Sequence, residues 1–267
     1  MIKSMQIAKS EIRATFINER ERLLSLIATL TDADLNAPSL CKGWAVRDVL
    51  SHIIGFEVSL LDVAKLVLGI KDLDQINNEQ TLRYKNTSKQ DFIALLNKGQ
   101  KRILFGLSLI PSFIFNLKLI KIKNGKVSLA QIYGDGIADR AIHYIDIANP
   151  LRGESFIKNI LSIDIILRFM FSCIHMLGPK LPKAAKGKLI CIETSKPAKI
   201  IYWNVGTNHI GSESNQKPDL YITSSANDFI FLVTGRPKLI KNNVILKGDS
   251  ILAKNLKATL NSNAFWE

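Results

Sequence analysis

The stretch Asp139-Arg-Ala-Ile-His143-Tyr-Ile-Asp146 lies in a long helical pattern near the middle of the chain. At about 100° per residue, positions 139, 143 and 146 fall within roughly 60° of one another on a helix. An Asp and a His four residues apart on one face form half of a metal site. His52 is the best candidate to supply a further ligand. Spacing alone favours a simpler reading of the pair, as a surface or capping arrangement.

Apolar residues recur at helical spacing in four successive segments, which predicts an antiparallel helical bundle. The first, third and fourth predicted helices cover residues 7–30, 89–109 and 128–149, and Asn149-Pro150 is expected to stop the fourth. The second has Arg47 and Asp48 in its first turn and runs to about Leu68. Between the second and third helices, Lys71 to Asn86 is polar and is expected to be an irregular loop. The bundle would place ligands from different helices toward a common interior.

The pattern changes beyond Lys186, where short runs rich in β-branched residues predict strands. Strands are expected at residues 189–194, 198–205, 220–223 and 243–246, with helices at 224–232 and 249–260. The predicted fold class is therefore α+β, with a helical domain at 1–180 that includes a linker helix at 155–177. A small α+β domain follows at 181–267.

Composition limits the partners and the compartment. The chain has 267 residues, 47% of them hydrophobic, and a formal net charge of +13, as expected for a folded globular protein with a basic surface. It contains no nucleic-acid-binding motif, its lysines are scattered, and its most apolar stretch, 103–117, is broken by Pro111. With no signal peptide and three widely spaced cysteines, we expect a cytoplasmic protein with no nucleic-acid partner and no membrane association.

Two imidazoles and a carboxylate form a ligand set that suits Zn, Ni, Fe or Mn. In a helical bundle such ligands converge from facing helices, and His52, Asp139 and His143 fit this arrangement. Three protein ligands leave coordination positions open, as in metal sites that bind substrate rather than structural sites. Taken alone, His52 in an apolar helix is also compatible with an ordinary core histidine.

The segment Ser39-Leu-Cys41-Lys-Gly-Trp44-Ala-Val-Arg-Asp-Val-Leu-Ser-His52 resembles the signature of the DinB-like, mycothiol-dependent maleylpyruvate isomerase family. In that family a Gly-Trp-x-Val-x-Asp-Val-x-x-His segment gives one metal ligand, and a later acid-x-x-x-His-x-x-Asp segment gives two more. These positions fall on His52, Asp139 and His143, and Asp146 matches the trailing acid. The C-terminal half is similar to the family's sterol-carrier-protein-like domain at Pro218-Asp219, 229–233, Gly235-Arg236-Pro237 and Gly248-Asp249.

The resemblance implies a DinB-like four-helix bundle followed by a sterol-carrier-like α+β domain. It also implies a divalent metal, Zn before Ni, Fe or Mn, that binds a low-molecular-weight thiol as its thiolate, either mycothiol or a substitute. In the isomerase the thiol adds to a cis double bond, rotation follows, and elimination gives the trans isomer. Asp146 is expected to orient a ligand histidine, and Arg236 to bind the carboxylate of a small anionic or electrophilic substrate.

The sequence therefore predicts a metal-dependent enzyme that activates a thiol for isomerisation or S-transfer. One alternative is a non-enzymatic protein that binds a lipid or acyl ligand in its C-terminal half and keeps a structural or vestigial metal site. Another is a protein that binds membrane surfaces through its basic charge. The sequence does not distinguish oligomeric states.

Overall fold

The computed structural model describes residues 5–59, 73–122, 125–207 and 210–261, except for the side chains of residues 73, 74, 122 and 261. The chain forms two compact units. One comprises residues 8–157, and the other comprises residues 158–267 together with residues 1–7. The two units therefore meet in sequence at residues 157 and 158, and the predicted linker helix is part of the second unit.

Four long helices build the first unit. They are α1 (Lys9–Ala28), α3 (Val46–Val58), α5 (Lys89–Leu109) and α7 (Leu129–Arg152). Both α1 and α3 pack against α5 and α7, so the four helices enclose one core. The sequence predicted α3 to extend to about Leu68, but residues 60–72 lie outside the described part of the chain.

Shorter elements connect these helices. They are α2 (Asp32–Asn36), α4 (Leu73–Tyr84), α6 (Ser112–Phe115) and a hairpin of β1 (Ile120–Ile122) and β2 (Gly125–Val127). The prediction of an irregular loop at Lys71–Asn86 was wrong, because α4 occupies most of it. Ile76 and Gln80 are buried one turn apart, and α4 packs on α3. The burial of polar Gln80 hides the amphipathic pattern of this helix from the sequence.

The second unit combines helices with a five-stranded sheet, which confirms the predicted fold class. Its helices are α8 (Ile160–Cys173), α9 (Ala226–Val233) and α10 (Ser250–Asn261). Its strands are β3 (Leu189–Ser195), β4 (Lys199–Asn204), β5 (Ile210–Gly211), β6 (Leu220–Ser225) and β7 (Ile245–Gly248). The strand order is β5-β4-β3-β6-β7, with β3 and β6 parallel and the other pairs antiparallel.

One segment of the second unit, Ile160–Lys180, is long and apolar enough to cross a membrane by length and composition. It consists of α8 and the 3₁₀ helix that follows it, and 72% of its apolar window is buried inside the protein. Such burial is typical of the core helix of a folded domain.

Candidate metal site

Helices α3 and α7 carry the three predicted ligands. The first turn of α3 is closed by Asp48, whose carboxylate accepts the Ala45 N–H at 2.9 Å. In α7 the Ser128 hydroxyl accepts the Gln131 N–H at 3.2 Å, and Gln131 Oε1 accepts the Ser128 N–H at 2.8 Å. Because the two capped helices pack against each other, His52 on α3 faces Asp139 and His143 on α7.

The ligand atoms converge on one point. His52 Nε2 lies 3.3 Å from Asp139 Oδ1, and His143 Nε2 lies 3.2 Å from the same oxygen. All three lie within 4.8 Å of one another. Zn–N and Zn–O bonds of about 2.0–2.1 Å in tetrahedral geometry separate ligand atoms by about 3.4 Å. The donor set and its spacing therefore fit a small divalent transition metal.

Aromatic rings fix the position of His52. Its imidazole lies 5.4 Å from the Trp44 ring, 5.2 Å from the Phe56 ring and 4.9 Å from the His143 ring, measured between centroids. His52 is only 5% exposed, whereas the Asp139 side chain is 31% exposed. The cluster is therefore shielded from solvent at His52 and accessible to solvent at Asp139.

Asp146 contacts the Nδ1 side of the His143 ring, opposite the Nε2 atom that faces Asp139. Its Oδ2 lies 2.8 Å from His143 Nδ1, and its side chain has no exposed surface. An acceptor at Nδ1 keeps the proton on that nitrogen and leaves Nε2 with a lone pair for a metal. His52 Nδ1, in contrast, is buried without a hydrogen-bond partner among the described residues.

Cys41 joins this arrangement, which sequence reasoning did not anticipate. Its Sγ lies 3.6 Å from His143 Nδ1, and its thiol donates to Asp146 Oδ2 at 3.2 Å. Cys41, His143 and Asp146 thus form a second group of potential ligands that shares His143 with the first. The available signal was the position of Cys41 in the same motif as Trp44 and His52.

A proline in α7 fixes the Cys41 loop. The sequence predicted that Pro150 would stop the helix, but α7 continues to Arg152 and ends at Gly153, which has a left-handed φ of 71°. Pro150 has no N–H to bond the Asp146 carbonyl four residues earlier. The Leu40 N–H donates to that carbonyl instead, at 3.0 Å. The proline therefore frees the acceptor that holds the loop against α7.

The electrostatics of the cluster favour a cation. Burial alone would raise the pKa of Asp139, but the charges of His52 and His143 hold it well below its usual range. Burial would lower the pKa of His143, yet the Asp139 charge and hydrogen bonds with Asp139 and Asp146 raise it well above its ordinary value. The negative potential that attracts a proton to His143 also attracts a divalent cation.

Asp135 adds a carboxylate one turn before Asp139 on the same face of α7. Its Oδ1 is buried and has no hydrogen-bond partner among the described residues. Burial first, and then the Asp139 charge, raise the pKa of Asp135 well above its ordinary value. The spacing of residues 135, 139 and 143 at four-residue intervals was the signal that could have found it.

The remaining predicted residue, Arg236, lies in the second unit. Its N–H donates to the Phe231 carbonyl at 2.8 Å, and its half-buried guanidinium donates to the Thr234 carbonyl. These contacts place Arg236 in the turn after α9, and its role toward a substrate stays a prediction.

Comparisons with known proteins agree with this geometry. Residues 16–71 match the domain family described as "Mycothiol maleylpyruvate isomerase N-terminal domain". For these residues, the family predicted from the sequence is confirmed. The match to the isomerase family includes α3 and His52, whereas Asp139 and His143 lie beyond it.

The solved structures show the same fold. The crystal structure of the mycothiol-dependent maleylpyruvate isomerase matches with a TM-score of 0.59 at 12% identity, over 92% of this chain and 96% of that one. A mutant of that isomerase matches with a TM-score of 0.55 at the same identity and coverage. No curated protein matches the chain by sequence.

Proposed function

We propose that the protein is a divalent-metal-dependent enzyme that activates a low-molecular-weight thiol for isomerisation or S-transfer. The observation that carries the proposal is the convergence of His52 Nε2, Asp139 Oδ1 and His143 Nε2 within 4.8 Å. A Zn-like ion held by these atoms would lower the pKa of a bound thiol and supply a thiolate nucleophile at neutral pH. The similarity to the isomerase supports this chemistry.

The chain's own residues contribute binding and orientation. His52, Asp139 and His143 would hold the ion, and Asp146 binds the Nδ1 side of His143, which leaves Nε2 for the ion. The buried side of the cluster, at His52, excludes water, and the partly exposed side, at Asp139, would admit the thiol. Burial and the Asp139 charge raise the pKa of Asp135 well above its ordinary value, and in its protonated form Asp135 can donate a hydrogen bond to a ligand at the open side.

The proposed substrates are small electrophiles that carry negative charge. The formal net charge of +13 raises the local concentration of anions. Arg236 is our candidate for binding a substrate carboxylate, because a guanidinium can bind a carboxylate through two parallel hydrogen bonds. Mycothiol, or another thiol of similar size, is the proposed second ligand.

We also propose that the protein acts in the cytoplasm. Its three cysteines, Cys41, Cys173 and Cys191, are all free thiols. Free thiols persist in a reducing compartment, where low-molecular-weight thiols are also abundant.

Metal analysis of the purified protein tests the proposal. We expect a stoichiometric divalent metal in the native protein and its loss in His52→Ala and His143→Ala. The matched control is His175→Ala, because His175 lies in the second unit and outside the ligand cluster; it should keep the metal. A native protein that neither carries nor takes up a stoichiometric divalent metal would contradict the proposal.

A further inference from the structure

The longest segment of the chain without an acidic residue carries a positive net charge. Between Asp91 and Asp135 the sequence contains no acidic residue. The same segment contains seven basic residues: Lys98, Lys101, Arg102, Lys118, Lys121, Lys123 and Lys126. It therefore supplies seven of the net +13 charges of the chain. A segment of one sign attracts a polyanionic partner.

Exposed apolar side chains lie in the same segment. Phe105, Leu109, Phe113, Leu117 and Leu119 are all exposed, and Phe113 is 79% accessible. Phe105 and Leu109 are four residues apart at the end of α5 and therefore share a helix face. Such apolar groups beside basic residues are typical of protein or membrane interaction sites.

Buried neighbours fix the outward direction of these side chains. Leu107 on α5 and Phe115 on α6 are almost fully buried, and the Phe115 ring lies 5.9 Å from the Tyr133 ring on α7. With Phe115 held in the core, Phe113 points to solvent. The exposure of Phe113 is thus imposed by the packing of α6.

The β1–β2 hairpin adds a cationic pair. Lys121 and Lys126 are directly opposite each other in the register, a placement that is destabilising for like charges. In the described part of the chain, no acidic side chain forms an ion pair with Lys118, Lys121 or Lys126. An anionic surface would reduce the repulsion between Lys121 and Lys126 and form ion pairs with all three lysines.

We propose that this basic apolar patch, made of the five exposed apolar residues with Lys118, Lys121 and Lys126, docks the protein onto an anionic phospholipid surface. The apolar side chains would enter the boundary between headgroups and acyl chains, and the lysines would contact anionic headgroups. The absence of acidic residues from segment 92–134 favours lipid headgroups, which carry charge of one sign, over a protein surface of mixed charge. The proposal goes beyond the metal site and replaces the expectation of no membrane association.

Vesicle co-sedimentation tests the proposal with the full-length protein. We expect binding to vesicles of phosphatidylcholine mixed with phosphatidylglycerol, weak binding to pure phosphatidylcholine, and release by salt. Phe113→Ser should weaken the binding about tenfold. Changing Lys118, Lys121 and Lys126 to Glu should weaken it by at least about fivefold per residue. The control Ile251→Ser removes another highly exposed apolar side chain, on α10, and should bind as the wild type does.

Three outcomes would overturn the proposal. The first is no binding to the anionic vesicles at low salt. The second is equal binding to neutral and anionic vesicles. The third is self-association in solution that Phe113→Ser abolishes while vesicle binding stays absent, which would assign the patch to a protein contact. Metal content and circular dichroism of each variant would show that a loss of binding is not a loss of fold.

Discussion

Two neighbouring residues of α7, Arg140 and Asp139, carry their charges in different surroundings. Arg140 is 1% exposed, and its guanidinium donates to Glu57, to the Phe16 carbonyl at 2.9 Å and to Gln100 Oε1 at 3.3 Å. Asp139 is partly exposed, and its Oδ1 lies 3.3 Å from His52 Nε2 and 3.2 Å from His143 Nε2. The two clusters are adjacent in sequence and lie on different sides of the helix.

The difference separates a structural cluster from a candidate metal site. At Arg140 a buried charge is paired with Glu57 and hydrogen-bonded to Phe16 and Gln100, so the charge is compensated inside the protein. At Asp139 several acceptor atoms converge on one point, which a cation can occupy with an open side toward solvent. Substitutions at the first cluster should change folding, whereas substitutions at the second should change metal binding.

The largest expected effect on stability is at the structural cluster. Arg140→Met leaves the Glu57 carboxylate buried without its partner and should lower the free energy of unfolding by about 3–5 kcal/mol. Chemical denaturation monitored by circular dichroism measures this change. The double variant Arg140→Met with Glu57→Gln should recover part of the loss. A single variant as stable as the wild type would show that the pair is not structural.

The effect of Arg140→Met should also depend on pH. Burial raises the pKa of Glu57, against the opposing effect of the Arg140 charge, and removing Arg140 leaves the raising effect unopposed. The folded state then binds a proton that the unfolded state releases, so the stability of the variant falls as pH rises through the raised pKa. Denaturation of Arg140→Met between mildly acidic and neutral pH should show this fall. A constant difference from the wild type would contradict it.

Asp146→Asn should have an intermediate effect, on metal affinity. The carboxylate that orients His143 is replaced by a neutral amide of the same size, and losses of such supporting groups typically cost about 10–100-fold in affinity. Competition with a chromophoric chelator gives the dissociation constant. Asp48→Asn, which changes a carboxylate at the start of α3 away from the ligands, is the control. An unchanged affinity in Asp146→Asn would remove its proposed role.

Cys41→Ser should have the smallest effect. The serine hydroxyl can still donate to Asp146, so metal affinity should change by less than about 1 kcal/mol. Cys41→Ala removes the donor and should weaken binding more than Cys41→Ser does. If Cys41→Ser instead abolishes metal binding, Cys41 is itself a ligand, and the set of His52, Asp139 and His143 is incomplete.

The main features of the fold and of the site were predictable for physical reasons. Helical periodicity predicted the four long helices, and the Trp44–His52 segment provided a third candidate ligand beside Asp139 and His143. The family resemblance favoured a metal site, because the spacing of Asp139 and His143 alone favours a surface or capping arrangement. Contact between α3 and α7 then brought the ligand atoms together.

Other features depend on tertiary contacts that the sequence does not display. Gln80 looks like a loop residue until its burial beside α3 is known. The apolar residues around Phe113 look like core, and only the packing of Phe115 shows that they are exposed. Cys41 reaches Asp146 because Pro150 frees a carbonyl for Leu40, a relation across more than a hundred residues.

Cobalt substitution followed by thiol titration tests the central claim most directly. The account predicts that one Co²⁺ per chain binds, and that adding mycothiol or a similar thiol produces a sulfur-to-cobalt charge-transfer band in the near ultraviolet. His143→Ala should lose both the bound cobalt and the band, while His175→Ala should keep both. Stoichiometric cobalt with no new band at saturating thiol would contradict an open, thiol-binding metal site.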